Sequence, residues 1–305
     1  MKYSVKDDID FVFLSFDEPN AEMLYAELCN MIPWCKRVHG VKGFDAAHRA
    51  CASASDTHFF VTVDGDNRIY PEFLNMTVDI NKDENDHAWT WAGRNHINGL
   101  VYGNGGLKLW SKTFVNNMNS HENAIDKSHS IDFCWKDNYH EEEGCYSETY
   151  SNGSPYQAWR SGFREGVKMS LDRGNRVLPT DFHKKIWYGN VNRLNIWATV
   201  GQDVDNGIWA IYGTRMGCYL TSLTDKDYTI ISDYNEMDRL WQEIKNNDPI
   251  KESISLGDEL QQKLGLNLTM LDDNTSTWFK SVYMNPLRPW ISEDRIKHFM
   301  ATKHA

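Results

Sequence analysis

Strand and helix character alternate between Ile9 and Val63, and that alternation constrains the fold more than any other feature of the chain. Ile9 to Ser15 (Ile-Asp-Phe-Val-Phe-Leu-Ser) is an apolar run of strand length, stopped by Asp17, Glu18, Pro19 and Asn20. Ala21 to Met31 follows, with Met23, Leu24, Leu28 and Met31 recurring at helical spacing. Trp34 to Val41 predicts a short second strand. Phe44 to Ala54, carrying Ala46, Ala47, Ala50 and Ala54, predicts a helix whose small-residue face permits close packing on a sheet. His58 to Val63 (His-Phe-Phe-Val-Thr-Val) then reads as a buried third strand. Strand, helix, strand, helix, strand implies a parallel sheet with helical crossovers.

Asp64-Gly65-Asp66-Asn67 stands at the end of that third strand. It delivers two carboxylates to the carboxyl edge of the sheet, the edge at which open α/β sheets bind ligands. Two carboxylates there suit a hard divalent cation that keeps several waters and takes its remaining ligands from substrate phosphates. Gly65 between them allows backbone and ligand to approach closely.

Beyond Asp66 the pattern changes. Lys82 to Asp86 is a charged turn, and Ala88 to Gly93 is a Trp-rich strand-like piece. Asn98 to Gly106 holds four glycines, the mark of a hairpin turn or of a loop whose backbone must lie close to something. Residues 119–153 are polar and read as long loops, apart from the apolar Ile131-Asp132-Phe133-Cys134-Trp135. Ser154-Pro155 opens a helix, with Ser as cap and Pro in the first turn. On it, Tyr156, Trp159, Phe163 and Val167 form an apolar stripe, and Arg160, Arg164 and Lys168 a cationic one. From Val177 onward short helices are expected, among them Tyr234 to Lys245 and Ser253 to Leu264. Asn195 to Gly217 is aromatic and punctuated by glycine. The expected division is a first domain over 1–175 and a helical C-terminal extension over 176–305.

Composition sets outer limits. A chain of 305 residues buries a sizeable core and holds one large or two modest domains. No apolar run reaches membrane-spanning length, and Met-Lys-Tyr-Ser-Val-Lys-Asp-Asp is too polar for a secretory signal, so a cytoplasmic protein with no membrane partner is expected. Cys29, Cys35, Cys51, Cys134, Cys145 and Cys218 show no paired metal-ligand spacing and read as reduced thiols. A net charge of -11 argues against nucleic-acid affinity from bulk charge, while leaving room for a local basic strip. The 12 Trp residues supply core aromatics or stacking surfaces for sugars and bases.

Three features converge on one sheet edge: Ser15-Phe16-Asp17-Glu18, Val41-Lys42-Gly43-Phe44-Asp45-Ala46-Ala47-His48, and Asp64-Gly65-Asp66. Their order resembles the nucleotide-sugar half of GT-A fold glycosyltransferases, over roughly residues 8–175. The segments FLSFDEPNAE, RVHGVKGFDAAHRA, VTVDGDN, NGLVYGNGGLKLW and SPYQAWRSGFREGVKM together resemble GT-A glycosyltransferases and related proteins of tailed phages. Some of those place sugars on hydroxymethylated or hydroxylated pyrimidines of phage DNA. The resemblance implies an α/β fold with a GT-A, Rossmann-like mixed sheet, flanking helices and a mostly helical C-terminal extension. It implies a sugar transferase, hexosyl or pentosyl, using a nucleotide sugar, UDP-linked, with Mn²⁺ or Mg²⁺. Its acceptor would be a modified phage DNA pyrimidine, and its location the host cytoplasm if phage-encoded. The alternatives are a glycan or protein hydroxyl as acceptor, or a nucleotide-sugar-binding module without turnover.

Position by position, the resemblance implies that Ser15, Asp17 and Glu18 line the nucleoside pocket and that Lys42 touches ribose or phosphate. Asp64 lies near ribose and metal, with Asp66 the more direct metal ligand. Gly105 and Gly106 lie beneath the transferred sugar, and Lys108 meets the diphosphate. Arg160 and Arg164 contact acceptor or phosphate. Asp132 is the candidate general base, its apolar neighbours favouring a raised pKa. Asp126, Glu148 and Asp203 are the alternatives. His183 is the candidate late metal ligand, with His140 also available and His121 and His129 in a polar stretch. The chain departs from common bacterial GT-A enzymes in having no plain Glu-Asp pair and no Gln-x-x-Arg-Trp, so inversion and retention both stay open.

Overall fold

A computed structural model describes residues 1–103, 105–120 and 138–283. The described chain divides into two compact units. Among the described residues, one is built from 1–96, 101–103, 105–120 and 138–150, the other from 97–100 and 151–283. The units therefore part after Tyr150, and the helix that follows groups with the C-terminal unit.

In the first unit the chain runs β1 (Lys2–Ser4), α1 (Val5–Asp8), β2 (Asp10–Ser15), α2 (Ala21–Met31), β3 (Lys36–His39), α3 (Phe44–Ala54), β4 (Phe59–Asp64) and β5 (Asn67–Ile69). It continues through β6 (Thr77–Asp79), β7 (Ala88–Asn95), β8 (Val101–Tyr102), β9 (Leu107–Ser111), α4 (Lys112–Asn117) and β10 (Tyr139–Thr149). The main sheet has the order β3-β2-β4-β9-β7-β10-β5, with β8 paired to β7. β2 lies parallel to β3 and β4, and β9 runs antiparallel between β4 and β7.

The side-chain period of two explains why the strands read as unbroken apolar runs. Phe11 and Phe13 of β2, with Val61 and Val63 of β4, enter one core with Leu24 and Leu28 of α2. Val12 and Phe60 point the other way, into a core with Cys51 and Ala52 of α3 and Phe114 and Val115 of α4. A sheet covered on both faces has no polar side to alternate with. Each large side chain so buried stabilises the fold by about 1.5–3 kcal/mol. Trp110 of β9 is fully buried, and its indole N–H donates to the Thr62 hydroxyl at 2.8 Å, so the polar end of the ring is satisfied.

The second unit is helical: α5 (Pro155–Lys168), α6 (Phe182–Lys185), α7 (Tyr188–Trp197), α8 (Gly207–Leu223), α9 (Tyr234–Ile244), α10 (Pro249–Leu264) and α11 (Asp273–Trp278). Ser154 caps α5 by accepting from the Gln157 amide at 3.1 Å, with Pro155 in the first turn. α5 and α8 cross backbone against backbone. A Cβ at Gly162 or Gly166 would strike the carbonyl oxygens of Ala210 and Thr214. One at Gly213 or Gly217 would strike those of Trp159 and Phe163. Trp159 then packs on Trp241 of α9, with ring centroids 5.6 Å apart, which accounts for part of the high tryptophan content.

One element differs from the sequence expectation. Within the stretch read as loops, Tyr139–Thr149 is an eleven-residue strand, held parallel to β7 along its length and antiparallel to β5 at its end. Only Tyr139 and Ser147 of it are buried, so its ladder hydrogen bonds, not hydrophobic alternation, place it in the sheet. The glycine-punctuated Asn195–Gly217 stretch supplies the end of α7 and most of α8. Glycine costs a helix about 1 kcal/mol per residue, and here the close crossing with α5 offsets that cost. The mixed sheet, flanking helices and helical C-terminal region are the Rossmann-like architecture that the GT-A resemblance implies.

Candidate active site at the carboxyl edge of the sheet

β4 ends at Asp64, and the chain turns through Gly65 and Asp66 into β5. On the neighbouring strand the Asp64 amide donates to the Gly106 carbonyl at 2.8 Å. Gly106 has no room for a side chain: a Cβ there would meet Asn67 Cγ at 2.6 Å and Asp64 Cβ at 2.8 Å. Gly105 is pressed in the same way on Gly93 and donates its amide to the Trp91 carbonyl at 3.0 Å. The glycine-rich loop is therefore a close backbone approach to the Asp64–Asn67 turn, one of the two readings its composition allows.

Lys108, two residues further along β9, is almost fully buried. Its ammonium donates to the Gly105 carbonyl at 2.8 Å and stands 3.9 Å from Asp64 Oδ2. Glu18 closes the other side. A Cβ on Gly65 would meet its carboxylate at 2.5 Å and Ser15 Cβ at 3.0 Å. The Glu18 carboxylate also accepts from the Phe16 amide at 2.8 Å, which fixes the turn after β2. Burial pushes the Asp64 carboxyl above the usual carboxylate range, the charge of Glu18 adds to that, and Lys108 opposes it. The Asp64 side chain still keeps 37% of its accessible surface, so it is open to a ligand.

Asn67 escaped the sequence reading. Its amide group donates to Asp66 Oδ1 at 2.8 Å, and its carbonyl accepts from the Thr149 hydroxyl at 3.0 Å. It thus fastens Asp66 to the end of β10, a strand that the sequence did not reveal. Ser15 is buried, accepts from Arg37 Nε at 3.1 Å and lies 3.0 Å from His39 Nδ1. Arg37 in turn grips Glu22 with both terminal nitrogens, at 2.9 and 2.6 Å.

Three carboxylates, Glu18, Asp64 and Asp66, against the single ammonium of Lys108 leave an excess of negative charge. A divalent cation would neutralise it, and the all-oxygen donor set is of the hard kind that Mn²⁺ and Mg²⁺ accept. Asp64 and Asp66 supply donors of that kind, while among the described residues only Glu84, His87 and His140 bring three metal-ligand atoms within 4.8 Å of one another.

The other expected residues lie as follows. Asp17 is exposed in the turn after β2, and Lys42 is exposed in the turn before α3. Arg160 and Arg164 are on α5, in the second unit, where the Arg160 guanidinium lies over the rings of Tyr156 and Tyr234. His183, on α6 of that unit, is exposed, with Nε2 2.7 Å from the Leu264 carbonyl. Asp132, Asp126, His121 and His129 lie outside the described residues. Asp203 pairs with Lys280 at 2.7 Å.

Glu148 belongs to a cluster near the carboxyl end of β10. Its carboxylate is 3.0 Å from His96 Nδ1 and accepts from the Tyr150 hydroxyl at 3.2 Å. Burial works to raise its pKa, but the His96 hydrogen bond and the Arg94 charge prevail and hold it below the ordinary value. Arg68 donates to the same Tyr150 hydroxyl and forks onto Glu27 at 2.6 and 2.9 Å. His140 lies at the opposite edge. It pairs with Trp89 in the register, whereas Thr149 pairs with Asn95, a separation of roughly 20 Å at strand rise. His140 is therefore remote from Asp66.

Fold and site together define a Rossmann-like α/β protein with an acidic turn packed on glycine backbone at the carboxyl edge of its sheet. No protein-family model matches the chain, and no curated protein matches it in sequence. Among solved structures, it is similar to a glycosyltransferase involved in the glycosylation of the major capsid of PBCV-1. That likeness covers 46% of this chain and 94% of that one, at 11% identity and a TM-score of 0.29. A likeness of that degree decides nothing about chemistry, which rests on the side chains at the sheet edge. Among the described residues no helix is long and apolar enough to cross a membrane.

Proposed function

We propose that the protein is a metal-dependent glycosyltransferase that moves a sugar from a nucleotide sugar, UDP-linked, to an acceptor hydroxyl. The observation that carries this reading is the packing of Asp64 and Lys108 against the Gly105–Gly106 backbone, with Glu18 against Gly65 and Asp66 next in the chain. A buried cation beside clustered carboxylates suits a ligand that brings both a metal and a diphosphate.

In this reading Asp66 and Asp64 hold Mn²⁺ or Mg²⁺, which when bound neutralises charge on the departing nucleoside diphosphate. Lys108 supplies a fixed positive charge to the same leaving group, held in place by the Gly105 carbonyl. Gly105 and Gly106 form a floor without side chains beneath the sugar. Ser15, Asp17 and Glu18 line the nucleoside pocket, and Lys42 reaches ribose or phosphate. Asp132 takes the proton of the acceptor hydroxyl. Glu148 is a weaker candidate for that step, because His96 and Tyr150 already engage its carboxylate.

The acceptor we propose is a hydroxylated or hydroxymethylated pyrimidine of phage DNA. This rests on the resemblance to tailed-phage proteins. It draws support from Arg160, whose guanidinium over two tyrosine rings is a cationic aromatic surface of the kind that stacks on bases.

The test is thermal stabilisation by UDP-, GDP- and dTDP-sugars with and without Mn²⁺, followed by transfer to modified DNA. The expected result is a Mn²⁺-dependent shift with a UDP-sugar that disappears in Asp66→Asn. Stabilisation by a nucleoside diphosphate with no metal effect, unchanged in Asp66→Asn, would replace this reading with a binding module lacking turnover. Transfer to a glycan or protein hydroxyl with no retention on DNA at low salt would overturn the DNA acceptor alone.

A further inference from the structure

At the amino edge of the sheet, opposite Asp64, three residues with metal-ligand side chains meet. Glu84 and His87 lie three residues apart in one turn, closed by the His87 amide donating to the Glu84 carbonyl at 3.2 Å. His140, far away in sequence, is brought beside them by β10, which pairs it with Trp89 of β7. A nitrogen from each ring and a Glu84 carboxylate oxygen all lie within 4.8 Å of one another.

The two rings meet nitrogen to nitrogen, His87 Nδ1 to His140 Nε2, at 2.7 Å. At that distance one nitrogen carries a proton and the other a lone pair. The Asp86 carboxylate stands 3.6 Å from the other His87 nitrogen, Nε2. A carboxylate on that side favours the tautomer with its proton on Nε2, which leaves the Nδ1 lone pair facing His140. A carboxylate behind a histidine is the usual support of a metal-bound imidazole. All three ligand residues are partly buried, which leaves an entry path while limiting competition from water.

We propose that Glu84, His87 and His140 form a zinc site, separate from the carboxylates at Asp64 and Asp66 and independent of any glycosyl transfer. Two imidazoles and one carboxylate are a donor set for zinc, softer than the all-oxygen group at Asp64 and Asp66. On binding, His140 takes the tautomer that carries its proton on Nδ1, by exchange with solvent and with no net proton loss, so that both facing nitrogens turn lone pairs to the metal. The ion would tie the turn at Glu84 to the start of β10, a strand that little hydrophobic burial holds in place.

The test is calorimetric titration of the full chain with Zn²⁺, accompanied by visible absorption of the Co²⁺ form. One Zn²⁺ per chain is expected in both wild type and Asp66→Asn. A loss of at least about 100-fold in affinity is expected in His87→Gln and in His140→Gln, together with the Co²⁺ bands of a tetrahedral site. Asp86→Asn, which removes no ligand, is expected to weaken binding by about 10–100-fold, the usual effect of losing such a supporting carboxylate. It keeps the proposal testable if a histidine variant fails to fold. Wild type that takes up no Zn²⁺, or His140→Gln and Asp86→Asn that bind as tightly as wild type, would overturn it.

Discussion

Lys108 and Asp64 face each other 3.9 Å apart across two antiparallel strands, with the lysine also held by the Gly105 carbonyl. In the proposed reaction, a cation so placed meets the negative charge of the leaving group without having to move. Lys108→Met removes the charge and keeps most of the buried stem. In the proposed reaction it is expected to lower kcat by roughly 10²–10³-fold, the loss typical of removing one preorganised electrostatic donor. Steady-state kinetics with a UDP-sugar check this.

Asp64 also sets a pH dependence. Its folded-state pKa is raised above the ordinary 3.8, so the folded protein holds that proton more tightly than the unfolded chain. The contribution to stability is therefore largest below 3.8 and shrinks as pH rises toward the folded value. At neutral pH without metal the charge costs stability. Asp64→Asn is expected to melt higher than wild type at pH 7, with the gap closing as pH falls toward 4. Calorimetric melts across that range measure it.

Glu148 works in the opposite sense. Its pKa is lowered from 4.5, so its stabilising contribution is present above 4.5 and is lost as pH falls through the folded value. Glu148→Gln is expected to be less stable than wild type at pH 7 and to lose less stability on acidification. Denaturant midpoints at pH 7 and pH 4 give the comparison.

Gly106→Ala tests the glycine floor. Its new Cβ would press on Asn67 and on Asp64 Cβ. Overpacking of this kind costs about 1–3 kcal/mol. The displaced turn is expected to weaken donor binding in a protein that still folds, as read from the melt and the donor titration together.

Arg215 in the second unit is a buried cation that no carboxylate neutralises within hydrogen-bond reach among the described residues. Burial lowers its pKa to about 10. Its guanidinium donates to the carbonyls of Ala198, Ser253 and Leu268. Arg215→Met strips those carbonyls of their donor, and each hydrogen bond to a charged group contributes about 1.5–3 kcal/mol. A loss of at least about 3 kcal/mol is expected in a denaturant titration.

The half of the sheet around β2 and β4 was legible because buried parallel strands are written as unbroken apolar runs. Helix α5 was legible because Ser154 and Pro155 announce its start. β10 was hidden: three consecutive glutamates, Glu141 to Glu143, stand exposed on it, and backbone pairing, with Tyr139 and Tyr146 reaching the cores, keeps it in the sheet. With β10 hidden, everything it positions was hidden as well. Asn67 gave no sign of linking Asp66 to Thr149, and Glu84, His87 and His140 gave none of meeting, since pairing in the sheet brings them together. Asp64, Asp66 and Lys108 were readable, because a strand end and a short glycine loop locate them without long-range knowledge.

The glycine-to-backbone crossing of α5 and α8 has a consequence for how the second unit comes apart. The two helices meet at their main chains, and Trp159, Phe163 and Val167 of one join Tyr212 and Leu220 of the other in a single core, so neither can fray without exposing the other. Amide protons on the facing turns should exchange with deuterium only through unfolding of the whole unit, and at a single common rate. The pair would then be the slowest-exchanging element of that unit, although three glycines lie inside one of its helices.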